Sequence, residues 1–203
     1  NSLVVLRNGP IRTISDLKGK KIGFSVGGFE EAQLSGMLQK YNLKMSDVDL
    51  VNINFSLSPS LIAKKVDAVI GAFRNFELNQ MDIVNHPGRA FYPEEHGVPT
   101  YEELIYIANQ KNKNNPLFDK FFSAIQKATL TIINDPVSTW KDFSSYRKGL
   151  DDELNKRAYK DTISRFALRP QAHDIKTYKK FSNFLKRKGI IKKITKVETF
   201  AKP

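Results

Sequence analysis

The most restrictive feature of the sequence is the run Asp67–Phe73, DAVIGAF, which is apolar at every position after the first. A strand exposed on one face alternates apolar and polar side chains, whereas a strand buried on both faces is almost continuously apolar. A strand of the second kind needs helices on both sides of its sheet. The run therefore predicts an α/β fold with a buried central strand.

Further strands and helices alternate around this run. Apolar runs and alternation predict strands at 3–6, 21–26, 49–55 and 104–108, and helical spacing predicts helices at about 29–41 and 58–65. Parallel strands need crossover connections, which are usually helical. The pattern therefore favours a mostly parallel sheet flanked by helices.

The second half of the chain is predicted to be helical. Wide apolar faces recur at about 116–134, 137–146, 151–166 and 173–188, without further strand patterns. These faces must bury against one another, against the first half, or against sequence outside this chain. We accordingly divide the chain into an α/β part, residues 1–108, and a mainly helical part, residues 109–203.

Composition narrows the class of protein. With 40% hydrophobic and 27% charged residues the chain is globular, and no apolar run is long enough to span a membrane. The absence of cysteine excludes disulfides, thiolate metal ligands and cysteine nucleophiles. The net charge of +12 is spread over many segments apart from a lysine-rich C-terminal end, so nucleic-acid binding is not favoured. The chain begins without an initiator methionine or a basic leader, which indicates a mature or truncated segment.

The stretch KIGFSVGGFEE contains a G-x-S-x-G pattern centred on Ser25, as in hydrolases with a nucleophilic serine. A nucleophile must lie at the turn itself, beside a histidine base. Alternation instead places Ser25 within the strand, and none of the three histidines stands in a motif that marks it as a base. We therefore predict no catalytic residue.

The same stretch also has the form of a ligand-binding loop. Gly27 and Gly28 would let the backbone approach a ligand closely, and Phe29 and Glu30 open the helix whose free N–H groups could bind a polar group. A simple tight turn between strand and helix explains one Gly-Gly pair equally well. The sequence leaves both interpretations open.

A second candidate site follows the central strand. Phe73, Arg74, Asn75, Phe76 and Glu77 come at its carboxyl end, where open α/β sheets bind ligands. The two phenylalanines could stack on a flat ring while Asn75 or Glu77 hydrogen-bonds its edge. The alternative is a helix N-terminus with a surface ion pair between Arg74 and Glu77.

Two other polar stretches stand out. Asn54 lies at a third strand end and is a further candidate ligand contact, because an asparagine in a buried strand is otherwise costly unless it is paired. Glu94-Glu95-His96 is rich in potential metal ligands, but adjacent residues cannot all face one ion, so it is interpreted as surface. We predict no metal site and no cofactor.

Several segments resemble a known family in their order along the chain. Residues 18–32, KGKKIGFSVGGFEEA, resemble the periplasmic substrate-binding proteins of the NMT1/THI5-like group, above all the branch that captures a formylaminopyrimidine precursor of thiamine for an ABC transporter. The segments VNINF, VDAVIGAFRNFE and EHGVPTY continue the resemblance, and the Asp135-Pro136 break and DDELN extend it over nearly the whole chain.

The resemblance implies a type II-like periplasmic-binding-protein fold with two lobes and a ligand held in the cleft between them. Residues 1–108 would be the second lobe and 109–203 would complete the hinge and the first lobe, whose N-terminal part is missing from this chain. Glu77 would anchor the pyrimidine, with Arg74, Asn75 and the Gly28-Phe29-Glu30 loop around it. The implied partners are a pyrimidine ligand and a membrane permease, in a periplasmic or extracytoplasmic location. A homodimer could cover the exposed first-lobe face.

The resemblance also carries an enzyme alternative. Eukaryotic pyrimidine synthases of the same group share the fold and act on a pyridoxal phosphate-type substrate with a cysteine-rich segment. This chain has no cysteine and reads GGFEEA where those enzymes have a different loop. The resemblance therefore favours a binding protein, with the synthase as the alternative.

Overall fold

The computed structural model describes residues 1–170 and 172–201. These residues form two compact units. The first unit contains Asn1–Tyr101 and Lys176–Thr195, and the second contains Glu102–Ile175 and the chain from Lys196 onward.

The first unit is built on one five-stranded sheet. Its strands are β1 (Ser2–Leu6), β2 (Lys21–Phe24), β3 (Asp49–Asn52), β4 (Ala68–Ala72) and β5 (Gly88–Phe91). Their spatial order is β3-β2-β4-β1-β5. β2 pairs in parallel with β3 and β4, whereas β1 is antiparallel to β4 and β5. The predicted α/β fold class is confirmed, and the sheet is mixed because β1 runs against its two neighbours.

Helices cover the sheet and build the second unit. They are α1 (Phe29–Lys40), α2 (Leu57–Ile62), α3 (Glu77–Ile83), α4 (Leu117–Asn134), α5 (Pro136–Tyr146), α6 (Glu153–Ile163) and α7 (Ile175–Arg187). Every predicted helix is present, with ends that differ by a few residues. No helix among the described residues is both long enough and apolar enough to cross a membrane.

The sheet is buried on both faces, as the apolar run at β4 predicts. On one face, Leu3 and Ile70 pack with α1 and with Phe184 of α7. On the other face, Val4 and Val69 pack with α2 and with Met81 of α3. All five residues of β4 are buried.

β2 and β3 end at Phe24 and Asn52, earlier than predicted, and two further strand predictions differ from the structure in a larger way. The expected strand at 104–108 is wrong: this segment pairs with no strand of the described chain, and Leu104 and Ile107 are 83% and 87% exposed. An apolar segment forms a strand only where its backbone can hydrogen-bond to a neighbouring strand. Conversely, β5 was not predicted, because GRAF has a single large apolar side chain and its strand form depends on pairing with β1.

The second unit is helical and is stabilised by aromatic side chains. Asp135 ends α4 and caps α5, where its carboxylate accepts a hydrogen bond from the Ser138 N–H at 3.0 Å. The Tyr159 hydroxyl of α6 lies 2.6 Å from the Thr139 hydroxyl of α5, and its ring lies 5.3 Å from the Trp140 ring. These contacts join α5 to α6.

Candidate functional site

The carboxyl edge of the sheet gathers the segments that the sequence singles out. β2, β3 and β4 run in parallel and therefore end at the same edge. Ser2 pairs with Ala72 and Leu3 with Phe91, so β1 begins and β5 ends at that edge as well. Parallel strands of α/β sheets present their ligand-binding residues at this edge. The candidate site is built from the loops that leave it.

The glycine loop after β2 is open. Gly28 has φ of +80° and directly precedes α1, and its N–H donates to the Glu31 carboxylate at 2.7 Å. A Cβ placed on Gly27 or Gly28 would have no neighbour within 4 Å. The two glycines therefore leave uncrowded backbone, which a ligand could approach closely.

The Glu30 side chain hydrogen-bonds the backbone of this loop. Its side chain is buried at 5% exposure, and Oε2 accepts hydrogen bonds from the N–H groups of Ser25 at 2.8 Å and Val26 at 3.1 Å. A charged acceptor makes such bonds stronger than neutral ones. Glu30 was predicted as a ligand contact, and in the structure its carboxylate holds the loop backbone in place.

Ser25 joins two strand ends. Its hydroxyl oxygen accepts a hydrogen bond from the Phe55 N–H at 3.0 Å, which ties the exit of β2 to the exit of β3. Among the histidines, the described hydrogen-bond partner of His96 is Tyr41, whose hydroxyl lies 2.7 Å from Nδ1. Ser25 directly follows the last residue of β2, and its hydroxyl has a structural role in joining two loops.

The β3 exit is conformationally unusual. Asn54 and Phe55 both have left-handed backbone, with φ of +46° and +63°. Asparagine tolerates this region, but a bulky aromatic residue rarely adopts it. Phe55 is nevertheless 75% exposed. The sequence pattern placed Phe55 inside a strand and missed it as an exposed aromatic at this edge, although Asn54 was a signal for a left-handed turn.

The β4 exit presents two aromatic rings beside a carboxylate. Phe73 and Phe76 are 39% and 37% exposed. Glu77 begins α3, and its Oε2 accepts a hydrogen bond from the Phe73 N–H at 2.6 Å. Burial raises the pKa of the Glu77 carboxyl above its ordinary value, against the opposing effect of that hydrogen bond. The neighbouring Asn75 carbonyl accepts from the Asn79 side chain at 3.0 Å.

Arg74 is engaged by the protein itself. Its Nε and Nη2 each donate to the Asn1 carbonyl at 3.2 Å, and Nη2 donates to the Glu94 carboxylate at 2.6 Å. The guanidinium carbon lies 3.9 Å from the centre of the Tyr92 ring. The described partners of Arg74 are therefore Asn1, Glu94 and Tyr92, and not Glu77 as the alternative interpretation expects.

The Arg74 contact also changes the acidity of Glu94. Burial is the largest single influence and acts to raise the pKa of Glu94, but the hydrogen bond and charge of Arg74, together with the Glu94 backbone N–H and the N-terminal charge, lower it below its ordinary value. Glu94 was interpreted as part of an acidic surface cluster. Its role in the structure is to hold Arg74 between the ends of β4 and β5.

An aromatic cluster at the start of α1 joins this helix to Tyr101 and α7. The Phe29 ring lies 5.5 Å from the Tyr101 ring, which stacks on Phe181 of α7 at 4.6 Å. The Tyr101 hydroxyl accepts from Gln33 at 2.6 Å and donates to the Asn1 side chain at 3.2 Å. Phe29 was predicted as a ligand contact and lies in this cluster, whereas Tyr101 and Asn1 were missed, because their proximity depends on the antiparallel position of β1.

Among the described residues, no group of three potential ligands could hold a metal ion. The edge offers aromatic faces, backbone N–H groups and one carboxylate of raised pKa. Such a set can bind a flat, polar organic molecule through its face and its edge.

Relatives of known name match most of the chain. A Haemophilus influenzae protein, whose name assigns it to thiamine biosynthesis, is 44% identical over 99% of this chain, which spans 64% of that protein. A fission yeast 4-amino-5-hydroxymethyl-2-methylpyrimidine phosphate synthase is 27% identical over 93% of this chain and 57% of its own length. The formylaminopyrimidine-binding protein of Halalkalibacterium halodurans is 25% identical over 67% of this chain and 42% of its own length.

Solved structures match the fold. The alkanesulfonate-binding protein SsuA of Xanthomonas axonopodis superposes with a TM-score of 0.69 at 16% identity, over 98% of this chain and 68% of that one. This likeness supports the type II-like periplasmic-binding-protein fold. The family model described as NMT1/THI5 like matches residues 1–139. The chain belongs to the NMT1/THI5-like family.

Proposed function

We propose that this chain is part of an extracytoplasmic solute-binding protein, which captures a pyrimidine precursor of thiamine for an ABC uptake system. The support comes from the family, from the relative named as a formylaminopyrimidine-binding protein, and from the fold shared with SsuA. Formylaminopyrimidine and hydroxymethylpyrimidine are the ligand candidates.

The observation that carries the proposal is the β4 exit. Phe73 and Phe76 expose part of their rings on either side of the segment that leads to Glu77. Glu77 Oε2 accepts a hydrogen bond from the Phe73 N–H at 2.6 Å. The second oxygen can accept a hydrogen bond from an exocyclic amine while an aromatic ring stacks on the pyrimidine.

The raised pKa of Glu77 suits this ligand. The burial that raises it also shields the carboxylate from water, and a hydrogen bond made in such surroundings is stronger than the same bond in water. An aminopyrimidine offers an exocyclic amine as the donor. Glu77 is thus the proposed anchor, and Gly27, Gly28 and Asn54 are proposed to border the ligand.

Calorimetric titration with formylaminopyrimidine, hydroxymethylpyrimidine and thiamine tests the proposal. It is performed on this chain and on the complete gene product that contains it. We expect heat from one or both of the simple pyrimidines and a weaker response to thiamine. Absence of heat with all three, from both proteins, would refute the pyrimidine assignment.

The synthase relatives support a second candidate, a pyrimidine synthase acting on a pyridoxal phosphate-type substrate. It predicts a pyrimidine product when the protein is incubated with pyridoxal phosphate, which mass spectrometry would detect. The lack of cysteine in this chain favours the binding function over this alternative.

The proposal includes a two-lobed arrangement and a permease partner. Residues 1–108 would be the second lobe, and 109–203 would complete the hinge and the first lobe. The helical segment supports this arrangement with large exposed apolar side chains, such as Val137 at 68% and Tyr146 at 87%. Further first-lobe sequence would bury such side chains, and a second copy of the chain is the alternative partner. Light scattering of the chain and of the complete gene product distinguishes the two.

A further inference from the structure

Helix α7 carries its basic residues on a single face. At about 100° per residue, they fall within a sector of about 120°. All of them are exposed: Lys176, Lys179, Lys180, Lys186 and Arg187. Lys192 and Lys193 follow the helix and are also exposed. We call these seven residues the basic face.

The opposite side of α7 packs on α1 within the first unit. Phe184 is 2% exposed and packs so closely on Gly36 of α1 that a Cβ there would lie 2.9 Å from its ring. The Lys188 ammonium donates to the Ser35 hydroxyl and the Gln39 amide oxygen, both at 2.9 Å. The basic face is therefore held outward by a rigid core contact.

The charge of the protein is concentrated in this region. Residues 176–195 hold eight basic residues and no acidic residue, so they supply eight of the net twelve positive charges. Within the described chain, no ion pair involves Lys179, Lys180, Lys186, Arg187, Lys192 or Lys193. A solvated helix face usually mixes both signs of charge. A face of a single sign of charge, most of whose members form no ion pair, is typical of a surface that meets an anionic one.

We propose that the basic face docks the protein on the anionic surface of a lipid membrane. Clustered lysines are attracted to acidic headgroups through the surface potential and need no fixed geometry. Ile190 and Ile194, which border Lys192 and Lys193, are 41% and 39% exposed and could enter the headgroup region.

Nucleic acid is the less suitable partner for this surface. Proteins that bind single-stranded nucleic acid combine basic residues with exposed aromatic rings on which the bases stack. In residues 176–195 no aromatic ring is exposed. The exposed apolar side chains there are aliphatic, which suits a lipid surface.

Membrane docking is independent of the ligand and goes beyond the proposed function. A protein held near a membrane searches for a membrane-bound partner over a surface instead of a volume. If the protein has the proposed function, membrane docking would raise the rate at which the loaded binding protein meets its permease.

Sedimentation with lipid vesicles tests the inference. The protein is mixed with vesicles of phosphatidylglycerol and phosphatidylcholine, or of phosphatidylcholine alone, at increasing sodium chloride concentrations. We expect binding to the anionic vesicles, a decrease with salt, and no binding to the neutral vesicles. Binding that is absent at low salt, or equal on both vesicle types, would overturn the proposal.

Matched variants localise the effect. Lys179→Gln with Lys180→Gln removes two charges from the basic face, and we expect weaker partitioning by about fivefold for each lysine. Lys120→Gln with Lys127→Gln removes the same charge from exposed positions of α4 and should change partitioning less than twofold. Equal losses of partitioning in the two variants would show that vesicle binding depends on net charge and not on the basic face, which would overturn the proposal. Tighter binding to a DNA oligonucleotide than to vesicles, at equal salt and with the same sensitivity to the α7 variant, would assign the surface to nucleic acid.

Discussion

The carboxylate of Glu30 occupies the space that a side chain on Gly71 would need. A Cβ built on Gly71 would lie 2.2 Å from Glu30 Oε1, and the backbone there has φ of +98°. Gly71 belongs to the buried central strand, and Glu30 belongs to the first turn of α1. The missing side chain in β4 therefore makes room for the carboxylate that holds the β2 exit loop.

Gly71→Ala should destabilise the protein strongly. Alanine at this φ is strained, and its methyl group would displace a buried carboxylate from the Ser25 and Val26 N–H groups. Together these effects correspond to about 2 to 4 kcal/mol in the free energy of unfolding. Urea unfolding followed by circular dichroism measures the change. Gly27→Ala is the control, since a Cβ there meets nothing within 4 Å. A loss at Gly71 no larger than at Gly27 would contradict the packing described.

Glu30→Ala and Gly71→Ala should have strongly non-additive effects. Removal of the Glu30 side chain creates the space that the alanine methyl group needs, although the loop N–H groups lose their acceptor. We expect a coupling free energy of about 1 to 2 kcal/mol in a double-mutant cycle, in the range for residues in direct contact. The same unfolding measurement on the two single variants and the double variant gives this value. Strict additivity would show that the two side chains do not compete for space.

Glu77 should make the protein less stable as pH rises. Burial raises its pKa above the ordinary value of 4.5, so the folded state binds this proton more tightly than the unfolded state. The resulting stability is present below the ordinary value and is lost as pH rises through the raised value. Wild type should therefore lose stability relative to Glu77→Gln as pH rises through this window. Parallel pH profiles for the two proteins would rule out the raised pKa.

The same residue should matter for ligand affinity. Glu77→Ala removes the proposed anchor and should weaken pyrimidine binding by about 1 to 3 kcal/mol. Calorimetry of the complete gene product measures the change. Asp82→Ala is a suitable control, because Asp82 is an exposed carboxylate at the other end of α3. Equal affinities for Glu77→Ala and wild type would place the anchor elsewhere.

The Arg74–Glu94 pair should show the opposite dependence on pH. Although burial opposes it, Arg74 lowers the pKa of Glu94, so the pair stabilises the fold above the ordinary pKa and loses this effect as pH falls through the lowered value. Arg74→Gln should cost about 1 to 2 kcal/mol at neutral pH, through the lost Tyr92 contact and the bonds to Asn1. Thermal unfolding at neutral and acidic pH measures both effects. A difference between the proteins that grows on acidification would exclude the pair as its source.

The sequence predicts strands β1 to β4 and the loops that leave β2 and β4, because these depend on local patterns. The apolar run at β4 and the Gly27-Gly28 turn each carry their own signal. The arrangement around Arg74 carries none, because Asn1, Glu94 and Tyr92 approach it only after β1 has entered the sheet antiparallel to β4. The position of the Glu30 carboxylate carries no local signal either, since nothing in a linear pattern shows that Gly71, in a distant strand, leaves room for it.

The exposed rings of Phe73 and Phe76 should contribute to binding and little to stability. Each ring keeps more than a third of its surface exposed, so Phe→Leu at either position removes little buried contact. If the rings stack on a pyrimidine, each substitution should weaken binding by about 0.5 to 1.5 kcal/mol, the range for aromatic pairs. Calorimetry gives the affinity, and urea unfolding gives the stability. Phe91→Leu is the control. Phe91 is 8% exposed in the core, so this substitution should lower stability more than affinity. Unchanged affinity in both the Phe73 and the Phe76 variant would contradict stacking by these two rings and would make Phe55, which is 75% exposed at this edge, the next residue to test.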